Sequence, residues 1–391
     1  MKPIKQTPET DLSYSNHLKE IRVHKGFSQS ELAGRAGITR QAVSSIESNL
    51  YLPTTAVALR LASVLCCRVE DLFSLSEAEN IVEGRLVGHL PQSETPALPI
   101  RVKVAIVGKR TIVRPVTGLG EQLSFTIPAD GYVVAKQDQT AGANVQVNLS
   151  RSRQAIEQEI SVAGCDPAIF LAGEHLRRQK DHSTVVGWTM GSMAALQALQ
   201  NGEVHVAGLH LFDPSTGESN LPFLKRSLKG SSYEVVTFAT WEEGFLVRRG
   251  NPKSIHTVAD VAEGGLTLAN REEGSGARLL LDQQLRTSGI DRAHIRGYER
   301  TLTSHFEVAR AVAGHQADVG IGIRSAAQIF DLDFVPIQTA RYDLVVPSAY
   351  LKSHPTLSHL FETLVSRPFR SEIEALGGYD TRDTGKSQSL K

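Results

Sequence analysis

Ser28–Ser48 reads SQSELAGRAGITRQAVSSIES. Ser28 stands three residues before Glu31, so its hydroxyl can accept from the Glu31 amide while the Glu31 carboxylate reaches back to the Ser28 amide. A helix therefore starts here. Leu32, Ala33 and Ala36 fall on one of its faces, Gly37 supplies a backbone free to take positive φ, and Ile38 turns inward before Thr39 caps a second helix. That second helix buries Val43 and Ile46 and turns Arg40, Gln41, Ser44 and Ser45 outward. The stretch predicts helix, tight turn and helix with a polar outer face. Leu18 and Ile21 point a preceding helix inward, Pro53 or Thr54 opens a following one through Val57, Leu61 and Val64, and Leu72 and Phe73 close a small core.

Residues 16 to 73 resemble the helix-turn-helix domain of the Xre, Cro and phage-repressor family, through LKEIRVHKG, the pair SQ, the LA pair, the G-I turn and the closing VEDLF. The resemblance runs through about five helices without a gap. It implies an all-α domain over 16–75 that binds double-stranded operator DNA. Arg40, Gln41, Ser44 and Ser45 would meet major-groove edges, Gln29 would anchor a phosphate, and Thr39 would open the reading helix. Two copies on half-sites about one helical turn apart would make a homodimer or higher homo-oligomer. The bland alternative for Gln41 or Ser44 is an exposed helix face.

The chain of 391 residues is longer than one hydrophobic core usually organises, so two or three domains are expected. With 41% hydrophobic and 21% charged residues it is ordinary globular material. Net charge is zero overall, and residues 1–75 hold nine Lys or Arg against seven Asp or Glu. DNA affinity would therefore depend on local placement and pairing of copies, with a modest salt slope. The start, MKPIKQTPETDLSYSNHLKE, lacks a signal-peptide core, and no apolar run is long enough to span a bilayer. A cytoplasmic protein without membrane contact is expected.

Residues 1–15 read as a disordered arm and 76–99 as a linker, partly helical or extended up to Leu90 and then irregular through PQSETPALP. Over 100–150 the period becomes two, in VKVAIVG, TIVRPV, QLSFTIP and GYVVA, which predicts a small β-rich module of structural role. From 155 to 380 strand-like pieces alternate with helices: ISVAG, TVVGW, VHVAGL, YEVVTFA, GFLVRR, GLTLAN, ADVGIGI and YDLVVP, with helices at Ser192–Gln200, Ala277–Leu285 and His305–Ala313. Residues 381–391 read as a frayed tail.

Three strand-to-helix junctions share small or hydroxylated residues: Thr189 to Ser192, Asn270 to Gly276, and Thr303 with Ser304. Each leaves free amides at the positive end of a helix dipole, where an anion fits. Taken singly each reads as a cap; three together point to a converging site at the carboxyl ends of a sheet. His175, His182, His210 and His305 form no close pair such as His-x-x-x-His, so no metal is expected. His305 either lines a cleft or is an ordinary helix-end residue. Cys66, Cys67 and Cys165 read as packing residues, with a thiol sensor as the alternative, and AGCDPA as a strand ending in a turn, since no His is placed along the chain to act as a base for Cys165. No catalytic constellation, Walker loop or Rossmann fingerprint is present, so neither an enzyme nor a cofactor is expected.

Residues 160 to about 380 resemble the periplasmic-binding-protein-like domain related to molybdate- and tungstate-binding proteins. The carriers are AGCDPA (163–168), GEVHVAGLHLFDPSTGESN (202–220), NREEGSGARLLLD (270–282) and TSHFEVARAVAGHQADVGIGIRSAA (303–327). The resemblance implies two α/β lobes joined by crossing strands, with a ligand in the cleft. Carried over by position, the ligand-facing residues are Thr189 and Ser192 in one lobe and Arg271, Gly274, Ser275 and Gly276 in the other, with Ser304 nearby. Arg278 is equally a solvated arginine. The effector implied is a small anion, molybdate or tungstate, with an organic anionic metabolite or a molybdenum-cofactor species as the alternative that Arg271 favours. The whole then reads as a one-component transcriptional regulator; a cytoplasmic oxyanion storage or delivery protein is the reading of another class.

Overall fold

A computed structural model describes residues 14–75, 80–90, 99–134, 141–179 and 183–390. The chain divides into two compact units, residues 1–82 with 146–149, and residues 83–145 with 150–391. Of the arm read at 1–15, residues 1–13 lie outside the described residues, as does PQSETPALP up to residue 98, while residues 14 and 15 belong to a paired strand instead.

The first unit is built on five helices, α1 (Leu18–His24), α2 (Gln29–Ala36), α3 (Arg40–Glu47), α4 (Thr55–Leu65) and α5 (Val69–Leu72). Strand β1 (Tyr14–Asn16) pairs with β2 (Phe73–Leu75), so the chain enters and leaves side by side. The reciprocal cap forms at Ser28 and Glu31, and Gly37 takes the left-handed conformation at φ 65° that the turn between α2 and α3 requires. Leu18, Leu32, Val43, Ile46, Leu61, Leu65 and Leu72 make the core. Glu47 is buried beside Arg22, which grips it at 2.5 and 3.0 Å.

Strand β3 (Ile81–Leu86) joins β4 (Arg101–Val107), β5 (Arg110–Pro115), β6 (Gly131–Val133) and β7 (Asn144–Leu149) in a closed barrel of order β3-β5-β4-β6-β7. The β-rich module thus begins inside the expected linker. One expected strand is a helix: QLSFT forms α6 (Glu121–Thr126), whose terminal carbonyls at Ser124 and Ile127 receive the Arg101 guanidinium at 2.8 and 2.7 Å. Its alternation carried a strand signal, but a capping cation from a neighbouring strand decides the outcome.

The barrel runs through α7 (Arg153–Glu157) into β8 (Glu159–Gly164), α8 (Ala168–Gln179), β9 (Thr184–Thr189), α9 (Ser192–Gln200) and β10 (Val206–Leu209). Buried Lys103 joins the two parts, donating to Asp130 at 2.8 Å and Glu159 at 3.0 Å, with Arg151 completing the charge balance. A short hairpin, β11 (Phe212–Asp213) and β12 (Glu218–Ser219), and α10 (Leu221–Ser227) lead to β13 (Tyr233–Val247). Then follow α11 (Val258–Glu263), β14 (Leu268–Arg271), α12 (Gly276–Thr287), β15 (Thr301–Leu302), α13 (His305–Ala313), β16 (Val319–Ile323), α14 (Arg324–Ile329) and β17 (Asp333–Pro347). Helices α15 (Ser348–Ser353), α16 (Leu357–Val365) and α17 (Arg367–Ala375) precede β18 (Tyr379–Asp380) and β19 (Ser387–Leu390).

The sheet runs β15-β14-β16-β13-β17-β10-β8-β9. Parallel strands lie at each end, and the antiparallel pair β13 and β17, 15 residues each, passes between them. YEVVTFA and GFLVRR, read as two strands, are the two ends of β13; register shifts at Thr237/Ala239 and Glu243/Gly244 bend it where the lobes meet. The tail is ordered in part: β19 pairs with Tyr233–Val236 at the edge of β13, so 381–391 is no frayed end as far as residue 390.

Candidate functional site: a buried cluster between the lobes and an exposed helix face

Thr39 caps α3 by accepting from the Ala42 amide, and Arg40 and Gln41 stand exposed on its first turn. Ser44 and Ser45 are half-buried. Gln29 opens α2, where its amide donates to Glu47 at 2.9 Å. The outer face of α3 is therefore presented by a small core and by a buried Arg22–Glu47 pair at its back.

The lobes of the second unit meet through main chain. Met193 in α9 donates its amide to the Gly274 carbonyl at 3.1 Å. A Cβ on Gly276 would stand 2.4 Å from the His210 ring, so the start of α12 rests directly on that imidazole. Tyr342 of β17 lays its phenol over Gly164 and Gly208, where a Cβ would fall 2.2 and 1.9 Å from the hydroxyl oxygen. Only glycine leaves room there.

Beneath this contact lies a sealed polar cluster. Cys165 follows β8, His210 follows β10, and His305 begins α13; their ligand-type atoms lie within 4.8 Å of one another, and all three are buried. Glu243, at the bend of β13, sets Oε1 2.7 Å from His210 Nδ1, in ion-pair range without the alignment of a hydrogen bond. Trp241 packs its ring 5.1 Å from His210 and 4.8 Å from Tyr342. Burial opposes charge on His210, but Cys165 and Glu243 outweigh it and push the imidazole up to about 10. Burial, with the charges of Arg271 and His210 added, holds His305 well below the usual histidine range. Neither ring nitrogen of His305 and neither of His210 makes a hydrogen bond, and Trp241 Nε1 and Arg271 Nη1 are likewise buried without a hydrogen-bond partner.

Of the expected ligand residues, Arg271 is the one that retains an unused buried donor. Its Nε and Nη2 are taken by Glu272 and by the Leu302 and Thr303 carbonyls, leaving Nη1. Ser192 accepts from the His210 amide. Ser275 accepts from the Arg278 amide and donates to the Glu272 carbonyl, so its hydroxyl is spent on its own helix. Ser304 caps α13 at the Glu307 amide. Gly274 and Gly276 serve the lobe contact through their backbone. Thr189 instead lines a 220 Å³ pocket with Val87, Arg114 and Trp188, on the barrel side. Arg278 lies over the Tyr298 ring and pairs with Asp282. These hydroxyls cap helices because a cap needs only its own turn, whereas an anion contact needs a second element.

A helix-turn-helix family model matches residues 18–72, and a PBP superfamily domain model matches residues 173–365. The chain belongs to the PBP superfamily, carrying a helix-turn-helix domain at its N-terminal end. It is similar to the uncharacterized protein YvgK of Bacillus subtilis (strain 168), 34% identical over 227 residues that make 58% of this chain and 72% of YvgK. The HTH-type transcriptional regulator YgzD of the same organism is 39% identical over 62 residues, 16% of this chain and 94% of YgzD. Among solved structures, the chain is similar to a tungstate ABC transporter from Geobacter sulfurreducens, 14% identical over 56% of this chain and 99% of that one, with a TM-score of 0.42. A phosphate transport receptor from Vibrio cholerae is 14% identical, over 56% of this chain and 98% of that one, with a TM-score of 0.39. The regulator is thus a helix-turn-helix transcription regulator fused to a PBP-like ligand-binding domain.

Reading along the chain missed Trp241 and Glu243, and it did not bring Cys165, His210 and His305 together. His210 and His305 do stand beside Cys165, contrary to the expectation drawn from their spacing. The one available signal, for Cys165, His210 and His305, was that each follows a strand end or opens a helix, the positions that converge in such a sheet, whereas Trp241 and Glu243 lie inside β13. His182 lies outside the described residues. No helix among the described residues is long and apolar enough to cross a membrane.

Proposed function

We propose that the regulator senses a small anion held between the two lobes of its PBP-like domain, and that the bound anion sets its affinity for operator DNA. The observation that carries this is Arg271 Nη1, a guanidinium donor buried in the domain with no hydrogen-bond partner; Trp241 Nε1 is a second such donor. A buried donor without a partner costs about 1–3 kcal/mol, which a bound acceptor would relieve. Molybdate and tungstate are the first candidates, and an organic anionic metabolite or molybdenum-cofactor species is the alternative. The exposed face of α3, with Arg40 and Gln41 foremost, reads the DNA. The protein acts in the cytoplasm, as a homodimer on paired half-sites.

The test is calorimetric titration of the full-length, metal-stripped chain with molybdate, tungstate, sulfate and phosphate, repeated with Arg271→Ala. Binding of molybdate or tungstate that weakens about tenfold or more in the variant supports the proposal. Failure of all four oxyanions to bind removes the oxyanion reading and leaves organic anions. Footprinting on duplexes selected in vitro then reads the coupling, for which a change of roughly 5–150-fold in DNA affinity is typical. Replacing Arg40 and Gln41 together by Ala should abolish the footprint with the fold intact; an unchanged footprint would point to a storage or delivery role.

A further inference from the structure

The cluster around His305 is not explained by packing. A buried imidazole ordinarily finds a hydrogen-bond partner for each nitrogen. Here His305 is 1% exposed with neither ring nitrogen hydrogen-bonded, and His210, 2% exposed, has the Glu243 carboxylate beside its Nδ1. Cys165, 1% exposed, stands beside them. Cys165 follows β8, His210 follows β10 and His305 begins α13, and nothing local to any one of them brings the three together.

We infer that Cys165, His210 and His305 form a site for a late first-row transition metal ion of the zinc class. One thiolate and two imidazoles are a borderline-soft donor set that suits zinc, cobalt or copper; calcium and magnesium demand oxygen. Ligand atoms within 4.8 Å of one another can close on one ion by small side-chain rotations. Glu243 stands where a metal-bound histidine usually has its carboxylate, 2.7 Å from the second ring nitrogen of His210, where it would orient the ring and raise its basicity. Three protein ligands leave one tetrahedral position for a ligand that is not protein. Cys165 and His210 come from one lobe and His305 from the other, so the ion ties the lobes together.

The inference rests on reading this cleft as the ligand site, but its test uses no oxyanion and no DNA. Full-length, untagged, reduced chain is stripped with EDTA and titrated with Co(II), followed by Zn(II). The expected result is one equivalent of Co(II) with a thiolate-to-cobalt charge-transfer absorption, displaced by one equivalent of Zn(II). Cys66→Ser with Cys67→Ser should keep the band. Cys165→Ser should abolish it, and His305→Asn should do the same or shift it. Glu243→Gln should keep the stoichiometry while weakening affinity about 10–100-fold. Absence of the band from the Cys66/Cys67 double variant overturns the inference, as does its survival in a Cys165→Ser chain whose circular dichroism matches the parent. Loss of metal binding with oxyanion binding intact would leave the proposed function standing, and the reverse outcome would leave the metal site.

Discussion

His205 is held in one neutral tautomer: Nδ1 accepts the Ser161 amide at 3.0 Å, and Nε2 donates to the Ile106 carbonyl at 2.9 Å. Burial, with the neighbouring His354 adding to it, depresses this imidazole from 6.5 to about 3. Below pH 6.5 the unfolded chain binds a proton that the native chain refuses until about 3, so stability is full above 6.5 and falls with pH through that window. The slope from this one group approaches about 1.4 kcal/mol per pH unit. Urea midpoints measured at about pH 7.5 and about pH 5 should drop toward acid, and His205→Gln should be less stable at neutral pH with a shallower pH dependence. An unchanged slope in the variant would assign the acid sensitivity elsewhere. His354, also depressed by burial, contributes with the same sign and keeps the variant's slope from vanishing.

At the scale of elements, the start of α12 acts as a stop against the first lobe. Gly276 faces His210 so closely that a Cβ would stand 2.4 Å from the ring and 2.5 Å from the His210 carbonyl oxygen. Gly276→Ala should hold the lobes apart while each lobe keeps its own core. Anion or metal affinity should fall about tenfold or more, with a larger radius of gyration by small-angle scattering in the presence of ligand. If affinity is unchanged, the α12 contact is dispensable for closure. Element α3 shows the opposite economy: its cap, its buried Val43 and Ile46 and its exposed first turn all arise within a dozen residues, which is why the α2–α3 pair was legible from sequence alone.

For the molecule as a whole, the C-terminal strand is part of the sheet. Beyond the β19 pairing, Gly385 donates to the Thr237 carbonyl, Thr237 donates to that of Lys386, and Thr384 Oγ1 donates to that of Phe238. Leu390 is buried against the first lobe. A chain ending at Asp380 should lose on the order of 3 kcal/mol of stability, from several hydrogen bonds and one apolar side chain. It should also aggregate more readily through the exposed edge of β13. Equal urea midpoints for the full and shortened chains would show that this strand carries no net stability.

Sequence by itself determined the helix-turn-helix and the alternation that builds the α/β lobes, because caps, turns and periodicity act over a few residues. It also located the junctions at Ser192, Ser275 and Ser304, without showing that these hydroxyls are occupied by their own helices and neighbours. Tertiary structure alone decided that two apparent strands are one crossing strand, that QLSFT is a helix capped by Arg101, and that the tail pairs with β13. It alone brought Cys165, His210, Glu243 and His305 together from four separate elements. Their proximity is set by how the sheet is ordered and how the lobes close, and no spacing along the chain carries that information.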